Sequence, residues 1–347
     1  MNKIGYLIIS FLWLAPITLS YYLPGDELSV ELRLFNNFMI KFGKSYENAA
    51  EQAKRFDIFR TNLKVIAELN KDRYDNATYG ISRFADLTGD EFKKKMLRFN
   101  SSLPESPLKE KGSKIRVSRI KRAGGSSSRT GGSFSWTVNR YYPPAQDQGT
   151  CDSCGHIGGV SAVSIMYSAQ KKRRTNLSIQ QLIDCDPRCR DAVTYTRLFE
   201  AMRDTYLASE TDYPYRASFR AGECDRAAVA KGVATIKSWR LISGEANILA
   251  NLKNGPLPAK INGERIQHYR GGVITNCPNT GSNHGVTIVG YGVEDGVNYY
   301  LVRNTYGPDW GPLEGHLKVQ RGTCDIEERV YSIEIKTKRS GGCFMCK

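Results

Sequence analysis

All four histidines and all nine cysteines of this 347-residue chain lie beyond residue 150, and seven of those cysteines fall between Ser133 and about Lys336. The side chains best able to act as bases or nucleophiles near neutral pH are thereby confined to one body of the chain. Within that body the pattern changes midway. Ser161–Gln170 and Thr194–Arg203 carry helical spacing, whereas Gly285–Tyr291, Tyr299–Arg303, His316–Gln320 and Tyr331–Ile335 read as strands separated by Gly, Pro, Asn and Asp. Helices first and strands later predict an α+β body with two lobes.

The N-terminus sets the compartment. Lys3 precedes an apolar run, Ile4 to Leu19, broken by Pro16 and followed by Ser20. This is the layout of a cleaved signal peptide over residues 1–20, too short and too interrupted for a transmembrane helix; a retained anchor is the alternative. A secreted or lysosomal destination would meet oxidising surroundings, so most cysteines should be paired. Asn76, Asn100 and Asn176 each open an N-x-[ST] acceptor triplet. The formal charge of +15 invites a nucleic-acid reading, but residues 107–130 alone hold eight basic side chains against the single acid Glu110. That stretch is rich in Gly and Ser and lacks apolar periodicity, so it reads as a solvated linker. No nucleic-acid partner is expected, and no membrane contact once the signal is cleaved.

Residues 26–70 read as helical. Glu51, Arg55, Phe59, Asn62, Ile66 and Asn70 recur at three- and four-residue intervals, which places them on one face of one helix. A face mixing a carboxylate, a guanidinium and two amides with two apolar groups suits a helix packed through specific polar pairs. After it, the run from Tyr79 to Thr88 alternates briefly and ends in a turn or cap.

The chemistry centres on Gln148-Gly149-Thr150-Cys151-Asp152-Ser153-Cys154. Two cysteines three apart could be a redox pair, half a zinc site, or one structural and one reactive thiol. Zinc needs further ligands at short spacing, and a redox pair usually opens a helix after a strand; neither context is present. His284 lies 130 residues beyond Cys154, and Asn304 a further 20 on. A thiol is mostly protonated at neutral pH and attacks amides well only beside an imidazole that takes its proton. The imidazole needs an acceptor to fix its orientation, and the tetrahedral oxygen needs donors. Cys154, His284, Asn304 and Gln148 supply one residue for each role, and no cofactor or metal is called for.

Taken together, these segments resemble the papain-like cysteine peptidases of cathepsin L-like type, over most of the chain after the signal. The polar stripe from Glu51 to Asn70 resembles the family propeptide's E-R-F-N-I-N signature, and the segment after it the G-x-N-x-F-x-D motif with Ser82 in place of Asn. Residues 147–155 match D-Q-G-x-C-G-S-C-W, 283–292 match N-H-A-V-x-x-V-G-Y-G, and 303–311 match K-N-S-W-G-x-x-W-G, each with substitutions. The resemblance implies a papain-like two-lobed fold, a helical lobe and a β-barrel-like lobe, preceded by a helical propeptide domain. Its boundaries would be 21–95 for the inhibitory propeptide, 96–132 for the basic linker, 133–338 for the peptidase and 339–347 for a tail carrying Cys343 and Cys346. It also implies disulfides Cys151–Cys189, Cys185–Cys224 and Cys277–Cys324, with Cys154 free. Implied partners are polypeptide substrates, the chain's own propeptide and cystatin-like inhibitors.

The chain departs from the family where it matters. Gly155 replaces the Trp after the nucleophile, Asp152 replaces a Gly, and Tyr306 replaces the Trp over the His–Asn pair. Gly155, Gly158 and Gly159 should fray the helix they begin, at roughly 0.5–1 kcal/mol each, while Asp152 should raise the thiol pKa. Cys189-Arg190-Asp191-Ala192 replaces the substrate-pairing C-N-G-G strip. His156 is expected as a half-buried helix residue. By the same resemblance Arg329 lies at the floor of the main specificity pocket and favours an acidic side chain before the cleaved residue, or else it pairs with Glu327 or Glu328 in solvent. Arg119-Ile120-Lys121-Arg122 reads as a processing site or a linker that any protease nicks. The functional expectation is a cysteine endopeptidase made as a zymogen; the alternative is a weak or inactive homologue that binds peptides or inhibitors.

Overall fold

The computed structural model describes residues 24–99, 132–189, 193–218, 224–278 and 280–338. The signal segment, nearly all of the linker with its basic cluster, the strip 190–192 and the tail with Cys343 and Cys346 lie outside them.

The expected N-terminal helix is two, α1 (Pro24–Phe42) and α2 (Ala49–Leu69). Gly43 turns the chain between them at φ +58°, and the Asn48 side chain caps α2 by accepting the Glu51 N–H at 2.9 Å. Every polar member of the stripe finds a partner. Arg55 binds Glu51 and, 36 residues on, Glu91, each at 2.7 Å. Asn62 donates to the carbonyls of Ala85 and Leu87, and Asn70 brackets Tyr79 by taking both its backbone groups at 2.9 Å. Phe59 joins Phe35, Phe38 and Ala85 in a small core of its own.

The run from Tyr79 to Thr88 is largely turns, preceded by β1 (Asn76–Tyr79). Its ladder shifts register between Thr78 and Tyr79, where Asn70 captures the backbone, so pairing stops there. Thr88 then caps α3 (Gly89–Met96) in a reciprocal capping box with Glu91.

Beyond the linker come β2 (Phe134–Ser135), α4 (Cys154–Lys171), α5 (Gln180–Cys185), α6 (Tyr195–Asp204) and α7 (Arg226–Ala230). They are followed by β3 (Ala234–Ile242), α8 (Glu245–Leu252), β4 (Leu257–Ile261), β5 (Tyr269–Ile274), β6 (His284–Glu294), β7 (Val297–Arg303), β8 (His316–Gln320) and β9 (Val330–Thr337). The strands form one sheet in the order β1-β5-β8-β7-β6-β4-β9-β3, with β2 paired to β6. The first strand, β1, belongs to the N-terminal part and covers the edge offered by β5, an added strand that blunts an exposed edge.

Two larger cores follow. One packs the sheet against Ile66, Phe84, Phe92, Met96 and Leu97 of the N-terminal part; the other surrounds α4 and α6 and includes Phe99. The glycines of α4 serve packing and do not fray it. A Cβ at Gly158 would fall 2.4 Å from the Tyr195 hydroxyl, and one at Gly159 2.5 Å from Leu198 Cδ2, so their absence lets α6 close on an unbroken 18-residue helix.

Candidate active site

Three elements converge. Cys154 is the first residue of α4, His284 the first of β6, and Asn304 follows the end of β7. Strands β6 and β7 are antiparallel neighbours, which returns Asn304 to the end of the sheet where His284 starts. The His284 Nε2 lies 2.8 Å from the Asn304 Oδ1, and all three residues are fully buried. An amide oxygen only accepts, so Nε2 carries the hydrogen and Nδ1 keeps a lone pair. Beneath them β6 crosses the start of α4 so closely that a Cβ at Gly285 would stand 2.8 Å from the Gly155 Cα. The Tyr306 ring lies 5.3 Å from the imidazole, the place expected for the aromatic shield.

Burial dominates the electrostatics. It pushes the Cys154 thiol up to about 12, helped by the Asp152 charge and opposed by backbone hydrogen bonds from Gly285, Gly155 and its own N–H. It holds the His284 imidazole down to about 4, against the Asn304 bond and the Met96 carbonyl. Both shifts disfavour the charged forms, and so oppose a thiolate–imidazolium pair while the cleft is covered.

What buries them is the N-terminal part. Leu97 crosses so close to Gly263 that a Cβ there would sit 2.5 Å from its Cδ2, and the Phe99 N–H donates to the Asn283 carbonyl at 3.0 Å. Arg83 grips Asp147 through two bonds of 2.7 and 2.9 Å, next to Gln148. Phe84 and Phe92 stack edge-on against Tyr306.

Gln148 is buried, its Nε2 giving one hydrogen to the Cys151 carbonyl at 3.2 Å and its Oε1 accepting from Thr305. The amide nitrogen carries a second hydrogen beyond that one. Disulfides join Cys185 to Cys224 and Cys277 to Cys324, as expected. The third expected pair is corrected: Cys151 and Cys189 are free thiols. The Cys151 thiol meets the Tyr215 and Ser153 hydroxyls, and burial raises Cys151 to about 11 and Cys189 to about 12. His156 is fully buried, not half-buried, because its Nε2 reaches the Cys189 carbonyl at 2.9 Å across the lobe. Arg329 is half-buried just before β9, and its carbonyl accepts the Lys260 N–H at 3.2 Å.

Sequence reasoning missed Lys260, fully buried on β4 opposite Gly285, and the residues 97–99 that thread the cleft. A charged residue inside a buried strand and a lone aromatic before a linker leave no periodic signal.

Asp152 offers a direct test. Its carboxyl is raised by burial and sits 3.6 Å from Arg98, and its charge disfavours a thiolate at 154. Asp152→Gly should lower the thiol pKa of the processed protein by about one unit, making iodoacetamide alkylation near pH 7 roughly tenfold faster. An unchanged pH profile of alkylation would show that the carboxylate has no hold on the sulfur.

Comparison with known proteins places these features. Residues 131–333 match the papain family cysteine protease profile, and residues 35–92 match the cathepsin propeptide inhibitor domain (I29). The viral cathepsin of Adoxophyes honmai nucleopolyhedrovirus is 32% identical over 291 residues, 83% of this chain and 86% of that protein. Cathepsin F of Drosophila melanogaster is 31% identical over 86% of this chain and 50% of its own length. Among solved structures, digestive procathepsin L 3 of the Tenebrio molitor larval midgut superposes with a TM-score of 0.71 at 27% identity, covering 88% of this chain and 99% of that one.

Proposed function

Because the chain belongs to the papain family of cysteine proteases and carries a cathepsin propeptide inhibitor domain ahead of its protease domain, we propose that it is an endopeptidase zymogen in which Cys154, His284 and Asn304 carry the chemistry. The observation that bears most weight is the 2.8 Å bond from His284 Nε2 to Asn304, which leaves Nδ1 as the ring nitrogen able to take the Cys154 proton.

The steps follow from that arrangement. Once the propeptide leaves, water enters the cleft and the penalty on charged forms falls. The Cys154 proton passes to His284 Nδ1, and the start of α4 favours the resulting thiolate through its free N–H groups. The sulfur attacks the substrate carbonyl, whose oxygen takes hydrogen bonds from the Cys154 N–H and the Gln148 Nε2. The tetrahedral adduct collapses to a thioester as His284 hands its proton to the leaving amine. Water, deprotonated by the same imidazole, then hydrolyses the thioester and regenerates the thiol. Entry to the secretory pathway follows from the N-terminal segment, and among the described residues no helix is long and apolar enough to cross a membrane.

The alternative, a homologue that binds peptides without cleaving them, draws on Asp152 beside the thiol. One experiment separates the two. The activated protein is treated with an epoxide that alkylates papain-type thiols, with and without Cys154→Ala. Labelling of the parent alone, together with peptide hydrolysis, is the expected result; an unlabelled parent that still binds peptides would establish the alternative.

A further inference from the structure

Among the described residues, the ion pairs that tie the N-terminal part to the protease body are Arg83–Asp147, Lys93–Glu264, Arg98–Asp152 and Asp72–Arg265, and the first alone is closed by two hydrogen bonds. The Arg83 Nη1 donates to the Asp147 Oδ2 at 2.7 Å and its Nη2 to the Oδ1 at 2.9 Å. This is the planar two-point fit that a guanidinium makes and an ammonium does not.

The seat belongs to the body. The Gly149 N–H donates to the Asp147 Oδ1 at 2.9 Å. Residues 146–148 lie against 305–307: the Gln148 N–H donates to the Thr305 carbonyl at 2.8 Å, the Gly307 N–H to the Gln146 carbonyl at 3.1 Å, and Asp147 pairs with Tyr306 between them. Gly307 turns at φ +77°, and a Cβ there would stand 3.1 Å from the Asp147 Oδ2. Arg83 lies within the matched propeptide inhibitor domain, so processing removes the guanidinium and leaves every one of these contacts in place.

The path of the propeptide gives the seat its side of the cleft. Phe84, next to Arg83, has its ring 5.1 Å from that of Tyr306; Leu97 then passes Gly263 beside His284, and Phe99 ends beneath Lys260. The Lys260 N–H reaches the Arg329 carbonyl, and the resemblance sets Arg329 on the side that precedes the cleaved bond. Asp147 and Tyr306, at the start of that path, therefore border the side that follows the bond.

We propose that Asp147 is a guanidinium seat, filled by Arg83 in the zymogen, through which the processed enzyme selects polypeptides carrying an arginine on the leaving-group side of the cleaved bond. This rests on the peptidase reading above and names a substrate feature which that reading leaves open. The Asp147 side chain keeps 40% exposure even beneath Arg83, so a second guanidinium has access, but solvent limits the gain to roughly three- to tenfold.

The test uses end-blocked peptides identical except that Arg, Gln or Glu stands in turn at each of the first three positions after the cleaved bond. Binding is measured by calorimetry to processed Cys154→Ala protein, so it does not depend on turnover, and kcat/KM is measured with the processed parent. At one position Arg should exceed Gln at least threefold in both measurements, with Glu the weakest. Asp147→Asn should bring the Arg-to-Gln ratio close to one. Equal behaviour of Arg and Gln at all three positions, or an Arg preference that survives Asp147→Asn, overturns the proposal and leaves Arg83 as a latch alone. Should that variant misfold, salt supplies a second arm in the parent. The Arg-to-Gln ratio should at least halve between about 0.05 and about 0.5 M sodium chloride, because a partly exposed ion pair is screened, and a ratio indifferent to salt overturns the proposal. Arg-selective binding without hydrolysis would sustain the seat and remove the peptidase reading; hydrolysis without Arg selectivity would do the reverse.

Discussion

Replacing His284 by alanine in the processed protein should reduce hydrolysis of a peptide amide by roughly 10⁴- to 10⁶-fold, because nucleophile and base act as one unit. The sulfur at 154 would lose the group placed to take its proton, and the leaving amine would lose its proton donor. His156 is no substitute, since its Nε2 is committed to the Cys189 carbonyl within the helical lobe. The pH dependence gives a second readout. With the imidazole present, the thiolate is paired and alkylation should proceed well below the ordinary thiol range of about 8.5. In the variant, alkylation should rise only as the bare thiol titrates, at higher pH. Initial rates on a fluorogenic peptide and the pH profile of thiol alkylation measure both effects. A variant retaining a hundredth of the parent activity would mean that another base serves Cys154.

The parts of this molecule legible in its sequence are those whose evidence is local or repeats with a known period. The stripe of Glu51, Arg55, Asn62 and Asn70 showed a helix bound by polar pairs, and each pair is formed. Strands β6 to β9 showed through their turn-bounded apolar runs. Strand β4 did not, because all five of its residues are buried and nothing alternates, and its lysine reads as surface. The glycines of α4 misled for a related reason. Their helix cost is a local quantity, whereas the closeness of Tyr195 and Leu198 that requires them is a property of the packed lobe. His156 and Cys189 are likewise set by contacts across the lobe that spacing along the chain cannot encode. The candidate site was proposed from its motifs, but the passage of Leu97 and Phe99 beside it could not be, since no pattern marks where a chain doubles back.

Arg55→Ala should release the latency of the zymogen. Arg55 bridges Glu51 and Glu91, each at 2.7 Å, and also donates to the Asp86 carbonyl at 3.0 Å. Through Glu91 it fixes the start of α3, and so the path of Phe92, Met96, Leu97 and Phe99 through the cleft. Hydrogen bonds to charged groups contribute about 1.5–3 kcal/mol each when well shielded. Arg55 is mostly buried, at 11% side-chain exposure, but its partners Glu51 and Glu91 are 32% and 28% exposed, which discounts the sum. A loss of about 2–4 kcal/mol would raise the population of open cleft by roughly 30- to 1,000-fold. Acid should act on the same joint. The Arg55 guanidinium, with the Thr88 N–H, holds the Glu91 carboxyl below its usual range. A carboxyl depressed in the folded state stabilises it above the unfolded pKa of about 4.3, and that contribution disappears as pH falls through the lower folded value. The parent propeptide should therefore loosen below about pH 4, and Arg55→Ala, which has already lost the bond, should show a smaller acid step. Epoxide labelling of Cys154 in the intact chain from pH 7 to 3.5 reads both effects. Equal labelling rates for parent and variant at pH 7 would place the latch elsewhere, at the Arg83–Asp147 grip or in the apolar seat of Leu97 and Phe99.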